Sequence, residues 1–351
     1  MTPEFMSTSR RLRILVVDDS AYVRKIVSQV LSRSPLLEVV GTARDGAEAL
    51  ERVAELNPDV VTTDLIMPTL DGVGFVREQM ARKPVPIVIL SVANEAGEMV
   101  LSALDAGAID VVQKPTALAS DRLFEISDAL IDRVTAAGEA HVRRPVSSGA
   151  MAATAALYTP KRQFDIVVLG ISTGGPQALR RLIPALPAEL AVPVAIVLHM
   201  PIGYTELFAR KLDEESALNV VEATAGMDVL AGDVLIAPAG RHLSLRRGTD
   251  GRVLTHLDVR PLDTPHRPAV DVLFQSAADV YADRVLGIVM TGMGSDGREG
   301  SAWIKAKGGR ILTESEESCV VYGMPRSIVE AGLSDRVVRL DEMANAILEH
   351  A

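Results

Sequence analysis

The sequence predicts an α/β protein built from two doubly wound domains. In residues 11–134 and again in residues 163–349, short apolar runs alternate with amphipathic segments whose apolar residues recur at helical spacing. Between these regions, residues 135–162 are rich in Ala, Ser, Gly, Thr and Pro and have no steady hydrophobic period. Strands that alternate with helices form parallel sheets with helices on both faces. We therefore predict two such domains joined by a linker.

The N-terminal region contains five strand–helix repeats, which make one doubly wound domain. The stretch 21–31 shows the helical spacing clearly, with Tyr22, Val23, Ile26, Val27 and Val30 on one face. The predicted strands are residues 12–17, 37–40, 60–63, 87–90 and 110–112.

The C-terminal region predicts a second doubly wound domain with a mostly parallel sheet. Residues 243–257 alternate around a glycine-containing turn at 248–251, which predicts a β-hairpin. The predicted strands are residues 165–169, 194–199, 234–237, 285–290 and 310–313, and the predicted helices are 176–186, 205–215, 269–281 and 298–307.

Composition excludes several classes of function. The net charge of −10 argues against nucleic acid as a main partner, because binding to phosphates needs a basic face. No apolar run approaches the roughly 20 residues of a membrane span, and the first residues lack the apolar segment of a signal peptide. Cys319 is the only cysteine, which excludes an intramolecular disulfide and a cysteine metal cluster. We expect a monomeric cytoplasmic protein that does not insert into membranes.

Acidic residues follow the strands of the first domain where a ligand would bind. Asp18 and Asp19 come directly after the first predicted strand, and Asp64 ends the third. The carboxyl ends of parallel strands meet at one crevice, where three carboxylates repel each other unless a cation joins them. Oxygen ligands of this kind suit Mg²⁺. A carboxylate can also act as a nucleophile and become an aspartyl phosphate.

Two further polar residues follow the next strands of this domain. Ser91 ends the fourth strand, and Lys114 follows the fifth in the sequence QKP. Each residue alone is compatible with an ordinary polar loop. Together with the three aspartates, a hydroxyl and an ammonium at these strand ends favour a site that holds a phosphoryl group.

These motifs resemble those of the response-regulator receiver family, whose fold is flavodoxin-like. The resemblance rests on VVDDS, TTDLIMPTLDG, LS and QKP and covers residues 11–134. It implies that Asp64 accepts the phosphoryl group, that Asp18 and Asp19 bind Mg²⁺ together with Asp64, and that Ser91 and Lys114 sense the phosphoryl group. Receivers often carry an aromatic residue three positions before the lysine. Val111 stands there, so the resemblance does not extend to an aromatic rotamer switch.

In the second region, Ser172 lies in a glycine-rich segment between a predicted strand and a predicted helix. The segment GISTGGP permits a tight turn and offers the free N–H groups of a helix N-terminus, which suit an oxyanion. Glycine-rich turns also cradle phosphates, although this one has neither a P-loop ending nor GxGxxG. The segment alone therefore leaves a nucleophile, a phosphate loop and a plain turn open.

His199 and Asp296 are the partners that Ser172 would need. His199 ends a predicted strand in VPVAIVLHMP, unlike His141, His242, His256, His266 and His350. Asp296 lies in the loop of MTGMGSDG, where it could instead cap the next helix. Taken together, the three residues favour a triad in which His199 is the base and Asp296 orients it. The chain order Ser, His, Asp and the missing GxSxG elbow differ from α/β-hydrolases.

The second region resembles the catalytic domain of the chemotaxis protein-glutamate methylesterase family. The resemblance covers residues 163–349 and rests on GISTGGP, LHMP, RPAVDVLFQSAA, MTGMGSDG and SCVVYGMPRS. It implies hydrolysis of glutamate γ-methyl esters on methyl-accepting chemoreceptors, with release of methanol and deamidation of receptor glutamines. It also implies a chemotaxis histidine kinase as phosphodonor, no cofactor in the hydrolytic domain, and a backbone N–H of Met293 in the oxyanion hole. Thr173 is a further candidate hydrogen-bond partner beside the nucleophile.

Two sites in one chain suggest control of one by the other. Our hypothesis is that the unphosphorylated receiver obstructs the Ser172 cleft and that phosphorylation of Asp64 relieves this inhibition. Two alternatives belong to other classes: an adaptor whose hydrolase domain only binds a partner, and a receiver joined to a nucleotide-binding output domain. Methanol release and nucleotide binding distinguish the three.

Overall fold

The computed structural model describes residues 10–91, 97–114, 120–140 and 163–350. The chain divides into two compact units, Met1–Pro145 and Val146–Ala351. Most of the predicted linker, residues 141–162, lies outside the described residues, as does His141. The last N-terminal helix continues to Gly138, so the first residues assigned to the linker are helical.

The N-terminal unit has a five-stranded sheet of order β2-β1-β3-β4-β5 in which all neighbours are parallel. This is the flavodoxin-like order, and the predicted fold is confirmed. Its elements are β1 (Leu12–Val17), α1 (Ala21–Leu31), β2 (Leu37–Ala43), α2 (Gly46–Leu56), β3 (Val60–Asp64), α3 (Gly72–Arg82), β4 (Ile87–Ser91), α4 (Gly97–Asp105), β5 (Asp110–Gln113) and α5 (Ser120–Gly138).

Local chemistry explains where several of these helices begin. The side chains of Ser20, Asp45 and Asp71 each accept a hydrogen bond from a backbone N–H in the first turn of α1, α2 and α3. Strand β4 is apolar on both faces and buried, and its four residues before Ser91 are 0% exposed.

The C-terminal unit has a seven-stranded sheet of order β14-β13-β12-β6-β7-β9-β8, again wholly parallel. A separate antiparallel ribbon joins β10 and β11. Its elements are β6 (Ile166–Ile171), α6 (Gly175–Leu182), β7 (Val194–Leu198), α7 (Thr205–Glu215), β8 (Asn219–Glu222), β9 (Asp233–Ile236), β10 (His242–Arg247), β11 (Val253–Asp258), α8 (Val270–Tyr281), β12 (Val285–Val289), α9 (Arg298–Ala306), β13 (Arg310–Glu314), α10 (Met324–Glu330), β14 (Arg336–Val338) and α11 (Leu340–Leu348).

The predicted parallel sheet and hairpin are confirmed, but four short elements were not predicted. Strands β8 and β14 lie at the two edges of the sheet and have three or four residues each, too few to show a period. Helices α10 and α11 were also missed, because seven and nine residues give at most two and a half turns. The predicted helix 176–186 ends as α6 at Leu182 and continues as a 3-10 turn containing Pro184.

Strand β6 lies at the point where the strand order of this sheet reverses. The chain passes from β6 to β7 on one side and later returns to β12 on the other. In open α/β sheets, ligands bind outside the carboxyl ends of the strands at such a switch point. The loops that follow β6, β7 and β12 therefore meet at one crevice. Among the described residues, no helix combines the length and apolar character needed to cross a membrane.

We expect Gly170→Ala to destabilise the C-terminal unit. A Cβ at Gly170 would lie 2.3 Å from Val270 Cγ1, so α8 would have to move away from β6. Overpacking of this kind costs about 1–3 kcal/mol. Urea unfolding, followed by fluorescence of the only tryptophan, Trp303 in α9, measures the loss.

Val270→Ala in the same background supplies the control, since it removes the clashing methyl groups. The double variant should lose less stability than the sum of the two single variants. Simple additivity would contradict this account of the packing.

Candidate active site and candidate phosphorylation site

In the N-terminal unit, Lys114 lies between two of the predicted acidic residues. Its Nζ is 2.8 Å from Asp18 Oδ2 and 2.6 Å from Asp64 Oδ2. Asp18, Asp64 and Lys114 are buried, whereas Asp19 is exposed. The structure thus brings together the strand ends of β1, β3 and β5, as the sequence predicted.

Burial and ion pairing act against each other in this cluster. Burial raises the pKa of Asp18 despite the nearby ammonium of Lys114. Burial lowers the pKa of Lys114, but hydrogen bonds to Asp18 and Asp64 outweigh it, and the net shift is upward. Lys114 therefore stays charged and compensates the carboxylates around it.

The same carboxylates fit the donor chemistry of Mg²⁺. Asp18, Asp19 and Asp64 each offer an oxygen, and these oxygens all lie within 4.8 Å of one another. Backbone hydrogen bonds orient two of them: Asp18 Oδ1 accepts from Ser20 N at 2.9 Å and Asp64 Oδ1 from Leu65 N at 2.7 Å.

Ser91 and Val111 lie on the last two strands of this sheet. Ser91 is buried at the end of β4, and its carbonyl accepts a hydrogen bond from Lys114 N at 2.8 Å. Val111 is 3% exposed and pairs with Ile89 of β4. An aliphatic side chain packed in the core offers no ring that could alternate between buried and exposed positions.

In the C-terminal unit, Ser172 follows β6 and precedes α6. Its backbone N–H donates to Thr291 O at 2.9 Å, which ties the loop after β6 to the loop after β12. Its carbonyl accepts from Gly175 N at 2.7 Å and closes a tight turn before α6. Gly174 in this turn has φ of +79°, and a Cβ there would lie 2.6 Å from Val320. Glycine is therefore required beside the predicted nucleophile.

His199 and Asp296 form a buried pair at the same crevice. His199 Nε2 lies 2.9 Å from Asp296 Oδ2, and the two side chains are 3% and 8% exposed. This contact joins the loops after β7 and β12, which are 97 residues apart in sequence. Because the ionised carboxylate of Asp296 can only accept a hydrogen bond, His199 Nε2 carries a proton and donates it. Nδ1 is then the ring nitrogen that can act as a base.

The N-terminus of α8 holds Asp296 in place. Val270 N donates to Oδ2 at 2.8 Å and Asp271 N donates to Oδ1 at 3.0 Å. Burial opposes ionisation, but the bonds to His199 and to these two amides outweigh it and lower the pKa of Asp296 to about 2. Its stabilising contribution is therefore present above about pH 4 and is lost as pH falls through about 2.

Met293, the predicted oxyanion donor, lies in a loop whose shape is fixed on both sides. Gly292 O accepts from Gly323 N at 3.0 Å and Met324 N at 2.8 Å, while Gly292 N donates to Val321 O at 3.0 Å. A Cβ at Gly292 would lie 2.7 Å from Ser172 Cβ. The peptide before Met293 therefore runs directly beside the serine.

Two of the histidines that were not predicted to be the base also lie near the site, and their contacts differ. His266 lies in the loop before α8 and stacks on His199, with ring centroids 4.2 Å apart. Its position directly before RPAVDVLFQSAA, and so just before the helix that holds Asp296, was the available signal. His242 has a structural role: its Nδ1 accepts from Ala269 N at 3.1 Å, and its Nε2 lies 3.0 Å from Pro261 O.

A polar network next to Ser172 was not predicted from the sequence. Thr291 N donates to Glu314 Oε2 at 2.9 Å, and Thr291 Oγ1 donates to Thr173 O at 2.9 Å. Glu314 is 0% exposed, and burial raises its pKa. Its position at the end of β13 was a signal, since the other candidate residues also follow strands. Cys319 nearby is buried, and burial raises its thiol pKa, which disfavours a nucleophilic thiolate.

We expect Glu314→Ala to destabilise the C-terminal unit by about 2–4 kcal/mol, because it leaves the buried Thr291 N–H unpaired and opens a cavity. The variant also removes an acceptor of the half-buried Ser318 Oγ, 2.9 Å from Glu314 Oε1, which can still donate to Ser315 O. Urea unfolding monitored by Trp303 fluorescence measures the change. The control is Glu317→Ala, whose side chain is 74% exposed and which should change stability by less than about 0.5 kcal/mol. Equal losses would contradict the network.

Comparisons with known proteins identify a domain family for each unit. A family model described as CheB methylesterase matches residues 167–347, and one described as response regulator receiver domain matches residues 14–126. A protein of Myxococcus xanthus named protein-glutamate methylesterase/protein-glutamine glutaminase 5 is 48% identical over 348 residues, which are 98% of this chain and 99% of that one. A relative of the same name, without the number, from Symbiobacterium thermophilum is 44% identical over 353 residues and 96% of each chain.

A solved structure supports the fold of the C-terminal unit. The crystal structure of the Thermotoga maritima CheB methylesterase catalytic domain aligns with a TM-score of 0.52 at 40% identity, covering 53% of this chain and 98% of that one. Because the two family models match in this order and the relatives match over nearly their whole length, the chain belongs to the protein-glutamate methylesterase family, with an N-terminal receiver domain and a C-terminal CheB methylesterase domain.

Proposed function

We propose that this protein is a phosphorylation-regulated methylesterase that hydrolyses glutamate γ-methyl esters on methyl-accepting chemoreceptors. The observation that carries the proposal is the buried pair of His199 Nε2 and Asp296 Oδ2, 2.9 Å apart, beside the loop of Ser172 at the switch point of the sheet. The names of the nearly full-length relatives support the same substrate class.

The first half of the reaction forms an acyl-enzyme. Ser172 Oγ attacks the ester carbonyl while His199 Nδ1 takes the hydroxyl proton. The tetrahedral intermediate collapses with cleavage of the bond to the methoxy oxygen. His199 returns the proton to that oxygen, and methanol leaves.

The second half regenerates the enzyme with water. His199 takes a proton from water, the hydroxyl group attacks the acyl carbonyl, and Ser172 leaves with the proton. The product is the free glutamate side chain. The same steps applied to a glutamine side chain release ammonia, so we also propose protein-glutamine glutaminase activity, as the relatives are named.

Charge stabilisation in this mechanism comes from two directions. Asp296, whose pKa is lowered to about 2, stays ionised at working pH and stabilises the imidazolium that forms on His199. The backbone N–H of Met293 serves as donor to the oxyanion, since the peptide before it runs beside Ser172 Cβ.

In the receiver domain, we assign Asp64 as the phosphoryl acceptor. Its Oδ2 contacts Lys114, which would bind the transferred phosphoryl group. Ser91 is the last residue of β4, the strand that neighbours β3. Asp18, Asp19 and Asp64 would hold Mg²⁺, which when bound offsets the negative charge of the carboxylates and the phosphoryl group. A chemotaxis histidine kinase is the proposed phosphodonor.

Control of the hydrolase by the receiver completes the proposal. Phosphorylation adds charge at Asp64 and changes the hydrogen-bonding demand on Ser91 and Lys114, so it can shift the receiver between two states. We propose that the unphosphorylated state inhibits the methylesterase. With Val111 in place of an aromatic residue, Ser91 is the residue through which the change would pass.

We expect Ser172→Ala to reduce methanol release from methylated receptor by at least about a thousandfold, because the nucleophile is lost. Phosphorylation of Asp64 should be unaffected. Ser216→Ala, at the far end of α7 from the site, is the matched control and should retain activity. Methanol release by Ser172→Ala at the wild-type rate would refute the triad. Receptor binding without methanol release by the wild-type protein would favour the adaptor alternative.

Asp64→Asn should abolish the response to a phosphodonor. We expect acetyl phosphate with Mg²⁺ to raise methanol release by the wild-type chain and to leave Asp64→Asn at its resting rate. Asp59→Asn, at the other end of β3, should respond like wild type. A full response in Asp64→Asn would place the phosphoryl group elsewhere.

A further inference from the structure

Asp271 is a direct neighbour of the triad acid and binds the carboxylate oxygen that His199 does not contact. Its backbone N–H donates to Asp296 Oδ1 at 3.0 Å, and its own carboxylate Oδ1 accepts from Gly300 N at 2.7 Å. Asp271 is the second residue of α8, and Gly300 lies in the first turn of α9. This residue therefore connects Asp296 with the N-termini of both helices that flank the site.

Close packing brings the backbones of α8 and α9 together beside this carboxylate. A Cβ at Gly300 would lie 3.0 Å from Asp271 Cα and 3.1 Å from its carbonyl oxygen. Since only a glycine permits this approach, α8 and α9 are held together at the point where Asp271 bridges them. The bond from Gly300 N holds Asp271 Oδ1 at this junction of the two helices.

The two carboxyl groups differ strongly in their affinity for a proton. Burial, followed by the negative charges of Asp296 and Glu299, raises the pKa of Asp271 to about 6, against the bond from Gly300 N. Asp296 has a pKa of about 2. Between these values Asp271 holds the proton and Asp296 the charge, and above them both are ionised.

Two histidines and one arginine are further titratable or charged groups near this pair. The histidines are His199, which contacts Asp296 directly, and His242 of β10, whose pKa is lowered by burial. Arg267 also acts on His242 and lies near this side of the site. Within the described part of the chain, no lysine or arginine forms a salt bridge with Asp271, so its ionised form keeps its charge in the site.

We propose that Asp271 is a positioning residue for the esterase reaction. Its protonation state sets how strongly Asp296 stabilises the positive charge that forms on His199. When Asp271 is ionised, a second negative charge behind Asp296 favours the imidazolium that forms in the transition state. When it is protonated, it donates a hydrogen bond to Asp296 and draws charge away from the histidine.

The sign of the pH dependence follows. The methylesterase gains rate as pH rises through the titration of Asp271, because the ionised form gives the stronger support. The inference rests on the proposed function, since it needs His199 as the base.

The test compares Asp271→Asn with wild type in the full-length protein. Asparagine keeps an acceptor for Gly300 N and has a permanent donor toward Asp296, so it imitates the protonated state. We expect kcat for methanol release to fall about tenfold at pH 8, equivalent to about 1.4 kcal/mol, with unchanged KM. At pH 5 the two proteins should converge, because wild type is then also protonated.

The control and the coupling measurement separate this role from simple structural support. Asp279→Asn removes a carboxylate from an exposed position two turns along α8 and should leave the pH profile unchanged. In the Asp296→Asn background, Asp271→Asn should have almost no further effect on kcat. A ratio of wild-type to Asp271→Asn rates that is constant from pH 5 to pH 8 would overturn the proposal.

A second measurement needs no variant and no turnover. In the wild-type protein, ¹³C NMR of the Asp271 carboxyl carbon should show a titration near pH 6, and a titration below pH 4 would also overturn the proposal. If wild type releases no methanol from methylated receptor, the proposed function fails. If wild type does release methanol but the rate ratio does not change with pH, only the role of Asp271 fails.

Discussion

The hydrogen bond between His199 Nε2 and Asp296 Oδ2 is the interaction on which the catalytic arrangement depends. It joins two loops that are far apart in sequence, and it holds only because Asp296 is itself fixed by the first two amides of α8. A carboxylate buried without such donors would take up a proton, and the neutral group would no longer stabilise a positive charge on the histidine. The start of α8 is thus part of the site, although its own side chains need not touch the substrate.

Both units use a parallel sheet to bring charged residues together. A parallel sheet brings residues from distant parts of the chain to one edge, where their charges must be compensated. In the N-terminal unit Lys114 compensates Asp18 and Asp64, while in the C-terminal unit His199 and the amides of α8 compensate Asp296. The first cluster retains an exposed carboxylate, Asp19, and oxygens suited to a cation, whereas the second is buried and suited to proton transfer.

The candidate site residues predicted from the sequence lie at the end of a strand, or in the loop after one, in an unusual local sequence. Ser172 and His199 directly follow β6 and β7, Asp296 lies in the loop after β12, and glycines mark two of these loops. His266, Thr291, Glu314 and Asp271 were missed or set aside because each acts through a neighbour. Nothing in a linear pattern states that Glu314 accepts from Thr291 N, or that His266 stacks on His199, since both contacts form only when separate strands and loops pack together.

Sequence alone determined the two α/β domains, the hairpin and the strand ends at which chemistry is placed, because hydrophobic periods of two kinds and glycine-rich loops are local properties. The family resemblance added a function to those positions. Only the tertiary structure decided which ring nitrogen of His199 faces Asp296, which amides hold that carboxylate, and that Asp271 and Asp296 differ in pKa. Those properties depend on burial and on distances of about 3 Å between residues that the chain order keeps apart.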